Sequence, residues 1–386
     1  MKKASIILLS VLLLAGCSDN GDTTQKDDEK QITTDTQISK DYYRTLLPFK
    51  ESQARGLTST NMASSYNGEA FESGLLEISK KVYSPEDYYY RDGQLLTKEA
   101  VKSYLEPQFT KKEIAAMDED TRIDRNAYAN FGLNPSHNGE TDPEKIAQNS
   151  PAYLSHILEQ DFYTVEDAEN KKLSGMTIGL AMNSVYDYQK EPYGEVYSKE
   201  LNPKVSAEKG KEMADEILSR LRVKQELKDI PITFAIFIQS STESITPGHF
   251  VAYSTSEQGD ALKKWEDISE DYILLPSPDT DKINQNLNNN FKQFNESLNS
   301  YFPNFTQAIG TVHVVDGQVK TVAINIPLEY FGKAEVIGVT QHIADQSRKY
   351  FDGISSYEIS VVDNDKPLAL ITKERDGEQH IHIYEQ

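Results

Sequence analysis

Apolar residues recur along this chain in distinct textures. The first is a short block, Ile6–Leu14, broken only by Ser10. It follows Lys2 and Lys3 and ends in Leu14-Ala15-Gly16-Cys17. A bilayer-spanning helix needs ~20 apolar residues, so this block is too short to persist as one. A positive start, a short apolar core and small residues before a cut are the parts of a cleaved export signal. Residues 18–40 then hold only Ile32 and Ile38 as large apolar residues, among Asp, Thr, Gln, Lys and Ser. Such a stretch cannot bury enough surface to fold and is predicted to be a disordered tether.

From Tyr42 the pattern predicts short elements. Tyr42–Phe49 reads as a first strand that Pro48 confines to an edge or ends. Leu75–Val82 reads as a helix. In Tyr88–Leu96, Asp92-Gly93 places a turn between extended pieces. Thr97 is a predicted cap of a helix running to Leu105, which Pro107 stops. Thr110-Lys111-Lys112-Glu113 has the form of a capping box. Residues 130–141 are a Gly/Asn/Pro-rich loop. Asp142-Pro143 sets an N-cap followed by proline at the first helical position. Ser150-Pro151 predicts one more helix, with Tyr153, Leu154, Ile157 and Leu158 on one face. Residues 50–162 are thus expected to be mostly helical.

The texture then changes. Met176–Met182 is a buried-strand pattern. A helix capped by Ser206 carries Met213, Ala214, Ile217, Leu218 and Leu221 on one face. Pro231–Ile238 is a second strand, Thr246-Pro247-Gly248 a turn and Phe250–Tyr253 a third strand. Leu287, Phe291, Phe294, Leu298 and Tyr301 line another helix. Ala308–Val315 and Val319–Ile326 flank Asp316-Gly317 as a hairpin. Val336, Val339, Ile343, Ser347 and Tyr350 place a further helix, and Tyr357–Val362, Leu368–Lys373 and His380–Tyr384 are strands. Strand, helix, strand, proline turn, strand therefore occurs twice, over 176–253 and 322–372. The fold class is α+β: two related strand-helix-strand repeats, with a largely helical segment in or before the first. Chance recurrence of a common element order is the other reading of that pattern.

Charge narrows the class. Lys and Arg total 40 against 61 Asp and Glu, a formal charge of −21. Such acidity argues against nucleic acid as a partner and against electrostatic attachment to an anionic membrane. Attachment, if any, must come from lipid. Cys17 is the only cysteine, and it follows Ala15-Gly16 directly. That makes the leader a lipoprotein signal, with a diacylglyceryl group on the Cys17 thiol and a cut between Gly16 and Cys17; an ordinary secretory signal that happens to precede a cysteine is the other reading. Two or more acyl chains, palmitate among them, anchor stably where one is marginal. With Cys17 lipidated, no thiol remains for a disulfide, a nucleophile or a zinc site. The expected segments are 1–16, signal peptide; 17–40, lipidated cysteine and tether; 41–275, first repeat with the helical insertion; and 276–386, second repeat. The expected place is the extracellular face of a cell membrane. The expected partners are the membrane, through lipid on Cys17, and the lipoprotein-processing enzymes.

Catalytic signatures do not emerge, and the chain reads as a non-enzyme without cofactor or metal. It has no Gly-x-Ser-x-Gly elbow, no His-Glu-x-x-His and no phosphate loop. His380 and His382 alternate on a strand without a third ligand, and His249 has no identifiable partner. Asp279-Thr280-Asp281 and Asp363-Asn364-Asp365 lack the glycine and distal glutamate of a calcium loop. Two stretches fit recognition: Tyr186, Tyr188, Tyr193 and Tyr197, and the polar loop 134–142 carrying His137. An aromatic wall beside a polar loop suits a peptide or glycan. Alternatively the tyrosines cover a sheet and the loop caps helices. No ligand is named by the sequence.

Beyond the lipobox and acidic tether, the strings YYRTLLPFKESQARGL, GLNPSHNGETDPEKIAQNSPAYLSHILEQDFY, MTIGLAMNSVY and NLNNNFKQFN closely resemble the staphylococcal CamS lipoprotein family, the sex pheromone precursor lipoproteins. The resemblance spans essentially the whole mature chain. It implies a Gram-positive surface lipoprotein with two related α+β repeats and no established activity. It also implies that the released signal peptide is trimmed to a short apolar peptide that induces plasmid transfer. Here that segment is Ser10-Val11-Leu12-Leu13-Leu14-Ala15-Gly16. The family's known pheromone type reads more like AIFILA, and this chain lacks its aromatic residue.

Overall fold

The computed structural model describes residues 33, 38–59, 68–167, 170–301, 307–329, 332–364, 366–375 and 377–385. The signal segment, Cys17 and most of the tether lie outside the described residues. The chain opens with β1 (Arg44–Thr45), α1 (Gly68–Ser79) and β2 (Tyr89–Asp92), followed by α2 (Lys98–Leu105), α3 (Lys111–Ala116), α4 (Glu119–Asp124) and α5 (Pro143–Asn149). The starts of these helices follow from local chemistry. Thr97 accepts from the Ala100 N–H, Thr110 and Glu113 form a complete capping box, and Asp142 caps α5 with Pro143 behind it. Next come β3 (Leu154–Val165), β4 (Lys171–Met182), the hairpin β5 (Val185–Gln189) and β6 (Val196–Glu200), α6 (Pro203–Leu221), β7 (Ile232–Ile238), β8 (His249–Ser256) and β9 (Glu266–Asp267). The remainder is β10 (Glu270–Leu275), α7 (Pro278–Tyr301), β11 (Ile309–Val315), β12 (Gln318–Pro327), α8 (Lys333–Tyr350), β13 (Tyr357–Asp363), β14 (Lys366–Lys373) and β15 (Gln379–Ile383).

The fold is α+β, built on two large sheets. One has strand order β1-β2-β3-β4-β7-β8-β9, and the other runs β10 to β15 in sequence order. From β2 onward the first sheet pairs antiparallel except for β4 with β7. The second is antiparallel except for β12 with β13. A parallel step needs a crossover, and α6 and α8 supply them. The α2–α5 segment sits inside the β2–β3 connection, where the second sheet has α7 alone between β10 and β11.

Burial explains the two strand patterns. In the first sheet, α6 packs Met213, Ile217 and Leu218 against Ile178, Leu180, Phe234 and Ile236. The opposite face takes Phe71, Leu75 and Ile78 of α1 against Ala235, Phe237 and Phe250. Every residue of β7 is buried, so it reads as an unbroken apolar run. In the second sheet β11 alternates buried and open positions. There α7 and α8 supply Phe291, Phe294, Val339 and Ile343 to one core with Val312, Ile324 and Ile359. Asp316 and Gly317 take positive φ of 53° and 71° in the β11–β12 turn, as the Asp-Gly pair requires.

Several expectations need correction. Ser150-Pro151 does not open a helix; Leu154–Val165 is strand β3, whose first nine residues are all buried. With both faces covered, the period of two vanishes and the spacing of Leu154, Ile157 and Leu158 mimics a helix. The cap of α6 is Asn202, before Pro203, and not Ser206. The Ser206 hydroxyl is buried and donates to the Asn183 carbonyl. Only Arg44–Thr45 of the first predicted strand is paired. Tyr301 is exposed rather than on the buried face of α7. The change of sheet falls between Asp267 and Glu270, because β10 pairs with β11. At that junction Glu270 joins the two sheets, accepting from the Phe250 N–H (2.9 Å) and meeting His313 Nε2 at 2.7 Å.

Phe291 is fully buried with Phe294 and Phe351 around it. Phe291→Ala is expected to cost about 3–5 kcal/mol. Urea unfolding checks this as a lower midpoint at unchanged slope; an unshifted midpoint would contradict the packing described.

Candidate functional site

The inserted helices and the loop after them enclose a cleft of about 240 Å³. Lys102, Leu105 and Glu106 come from the end of α2 and Asp124 and Arg125 from the end of α4. Asn134 and His137 come from the loop, Leu57–Ser59 from the segment before α1, and Ala152 and Tyr186 close the wall. Asn134 is fully occupied: its amide donates to the Leu105 and Leu154 carbonyls (2.8 and 3.0 Å) and accepts from the Leu154 N–H (2.8 Å). Asn138 and Gly139 turn the loop with positive φ, and Glu113 accepts from the Gly139 N–H at 3.1 Å. The loop is thereby tied to the capping box of α3.

Charge in the cleft is mixed. Arg125 is held by Glu106, with Nε 2.9 Å from its carboxylate, and lies 4.7 Å over the Phe109 ring. Lys102 and Asp124 have no ion pair among the described residues. Burial pushes the His137 imidazole below its ordinary pKa, and Arg125 adds to this against Glu113 and Glu106. His137 is therefore neutral at pH 7, one ring nitrogen donating and the other accepting.

The sequence-predicted recognition residues do not form one wall. His137 and Tyr186 meet in the cleft, with Tyr186 buried beside Ala147 and Leu201. Tyr188 stacks on Tyr197 at 5.6 Å on the β5–β6 hairpin, and Lys190 sits 4.8 Å over Tyr197. Tyr193 is fully exposed in the hairpin turn with φ of 63°. Lys102, Asp124 and Arg125 were not singled out by sequence, where they are ordinary helix-surface charges. The pheromone segment Ser10–Gly16 and Cys17 lie outside the described residues. His380 and His382 are exposed on β15, with His382 edge-on to Tyr384 at 4.6 Å. Among the described residues no group of three or more His, Cys, Asp or Glu could hold a metal ion.

A second polar cluster fixes the entry to the insertion. Glu159 on β3 is buried and accepts from the N–H groups of Gln94, Leu95 and Leu96 at 3.1, 2.8 and 2.7 Å. Asp161 accepts from the same Gln94 N–H at 3.0 Å. Asp92 accepts from the Ser52 N–H (2.8 Å) and meets Arg55 at 3.2 Å. Gly93 has no room for a Cβ, since the Glu159 side chain would lie 2.4 Å from it. Burial, and then repulsion from Glu159, raise Asp161 well above the usual carboxylate range. Burial raises Glu159 too, against the three N–H bonds. Of the two, Asp161 is raised the further, so it holds a proton the more tightly.

The folded state keeps the Asp161 proton, whereas the unfolded chain releases it near pH ~3.9. Stability from this group is present below the unfolded pKa and is lost as pH rises through the raised folded value. Asp161→Asn keeps the size of the side chain and has no proton to lose. It is expected to lose less stability than the parent between about pH 4 and pH 7. Urea unfolding across that range checks this; parallel profiles would place the proton elsewhere.

The geometry defines an α+β protein of two large sheets and a two-stranded hairpin, the first large sheet carrying a polar cleft on an inserted helical segment. A family model described as CamS sex pheromone cAM373 precursor matches residues 49–379, and the chain belongs to the CamS family. It is similar to the C-terminal domain of the sex pheromone staph-cAM373 precursor from Staphylococcus aureus. That likeness is 50% identity and a TM-score of 0.75, over 84% of this chain and 99% of that one. It is also similar to a sex pheromone precursor from Lactobacillus salivarius subsp. salivarius UCC118. There the values are 26% identity and a TM-score of 0.77, over 92% of this chain and 99% of that one. No curated protein matches. The family's description names a pheromone precursor and no enzyme. Among the described residues no helix is long and apolar enough to cross a membrane.

Proposed function

We propose that this is a diacylated lipoprotein on the extracellular face of a cell membrane, anchored through Cys17, and that its signal peptide is processed to a pheromone-like peptide promoting plasmid conjugation. The observation that carries this reading is the order of parts in Met1–Cys17: two lysines, a short apolar core, Leu14-Ala15-Gly16 and the only cysteine. Membership in a family described as a pheromone precursor supports it. The mature part acts without catalysis, and its partners at this stage are the membrane and the enzymes that lipidate and cut the leader. The shared pairing order of the two sheets, with a single parallel step in each after β2, supports reading them as copies of one unit.

A second reading concerns the folded part. The cleft joining His137 and Tyr186 favours a surface binding module for a peptide or cell-wall fragment, held off the membrane by the tether.

Two measurements test the first reading. Cys17→Ala is expected to release the protein into the medium; retention in the membrane fraction would refute anchoring through that thiol. Mass spectrometry of small peptides in the medium is expected to find fragments ending at Gly16, Ser10–Gly16 among them. Their absence, or silence of recipient cells towards the synthetic peptide, would remove the pheromone role.

A further inference from the structure

Resting on the binding-module reading, we infer that the cleft binds a small zwitterion: a short peptide with both ends free, its carboxylate towards Lys102 and its ammonium towards Asp124. These two residues carry opposite charges, line one cleft and have no ion pair among the described residues. The other charged pair there, Arg125 and Glu106, is already spent on itself. Burial keeps His137 neutral, so it adds hydrogen-bonding capacity without tipping the charge balance.

A ligand of one sign meets one attractive and one repulsive group in such a cleft, whereas a ligand with both signs satisfies each. Size agrees with this. The volume of about 240 Å³ lies below the ~300–1,000 Å³ of drug-sized pockets, which limits the occupant to a few small residues. Leu57, Leu105 and Ala152 offer apolar wall for short side chains. Asn134, pinned by three backbone hydrogen bonds, and Arg125, pinned by Glu106, hold the walls in place before a ligand arrives. Such pre-organisation reduces what is lost on binding.

The test uses the full chain and calorimetric titration with three probes: trialanine, N-acetyl-trialanine amide and a peptidoglycan disaccharide-peptide. Trialanine is expected to bind and the doubly blocked peptide to bind at least about tenfold more weakly. Lys102→Gln and Asp124→Asn are each expected to weaken trialanine about tenfold. Both positions are exposed, so an unchanged melting temperature separates a lost contact from a lost fold. Equal binding of free and blocked peptide overturns the zwitterion assignment while the binding-module reading stands. Binding of the wall fragment alone does the same. Failure of all three probes removes both.

Discussion

The parallel pairing at the centre of each sheet is the constraint that the remaining structure accommodates. Parallel neighbours cannot be joined by a tight turn, so the chain must leave the sheet and return over one face. In the first sheet α6 makes that return, and its apolar face fixes which side of β4 and β7 is covered. Two side chains then lock the returning end of the crossover. Tyr83 is fully buried against Phe162, and its hydroxyl lies 3.0 Å from the carbonyls of Met176 and Pro231, beside the first rung of the pair. Arg222, just past α6, donates to the carbonyls of Ile230 and Ser256 and reaches those of Leu227 and Gly259 as well. One guanidinium thereby satisfies carbonyls on both sides of the returning strand.

The cleft depends on the sheet through the buried carboxylates. Glu159 stands on β3, next to the parallel pair, and collects three consecutive N–H groups from the turn that leads into α2. This geometry resembles the way a helix start receives an anion, with the anion supplied by the chain itself. The turn sets the direction of α2, α2 presents Lys102 and Glu106, and Asn134 ties the following loop back to the first residue of β3. Sheet and cleft are thus linked by hydrogen bonds to backbone.

Much of the fold was legible where the determining chemistry is local. The caps at Thr97, Thr110 and Asp142 need only residues within one helical turn, and the Asp316-Gly317 turn needs only its own backbone angles. The buried run of β7 and the helical faces of α6, α7 and α8 were readable from spacing. What failed was non-local. β3 reads as a helix because a strand buried on both faces loses its alternation. The change of sheet after Asp267 is invisible because only pairing with β11 assigns β10 to the second sheet. Asn202 and Ser206 are both acceptable caps on paper, and the carbonyl of Asn183 claims the second. The cleft was half legible: His137 and Tyr186 stood out by type, while Lys102, Asp124 and Arg125 are ordinary surface charges until folding gathers them. The tyrosine wall dissolved because a hairpin sends Tyr193 to its tip and leaves Tyr188 and Tyr197 stacked on each other.

The β2–β3 connection has a consequence of another kind. Its two ends are held by strands already in register, so the chain between them is a socket rather than a beam. Closing a longer excursion between fixed ends costs little more than closing a shorter one, and in the second sheet α7 alone lies between β10 and β11. The outer helices and loops of this socket can therefore change in length, provided that the residues bonded to Glu159 and Leu154 and those packed on the sheet are kept. The sheets and the outer part of the segment between β2 and β3 can therefore change at different speeds.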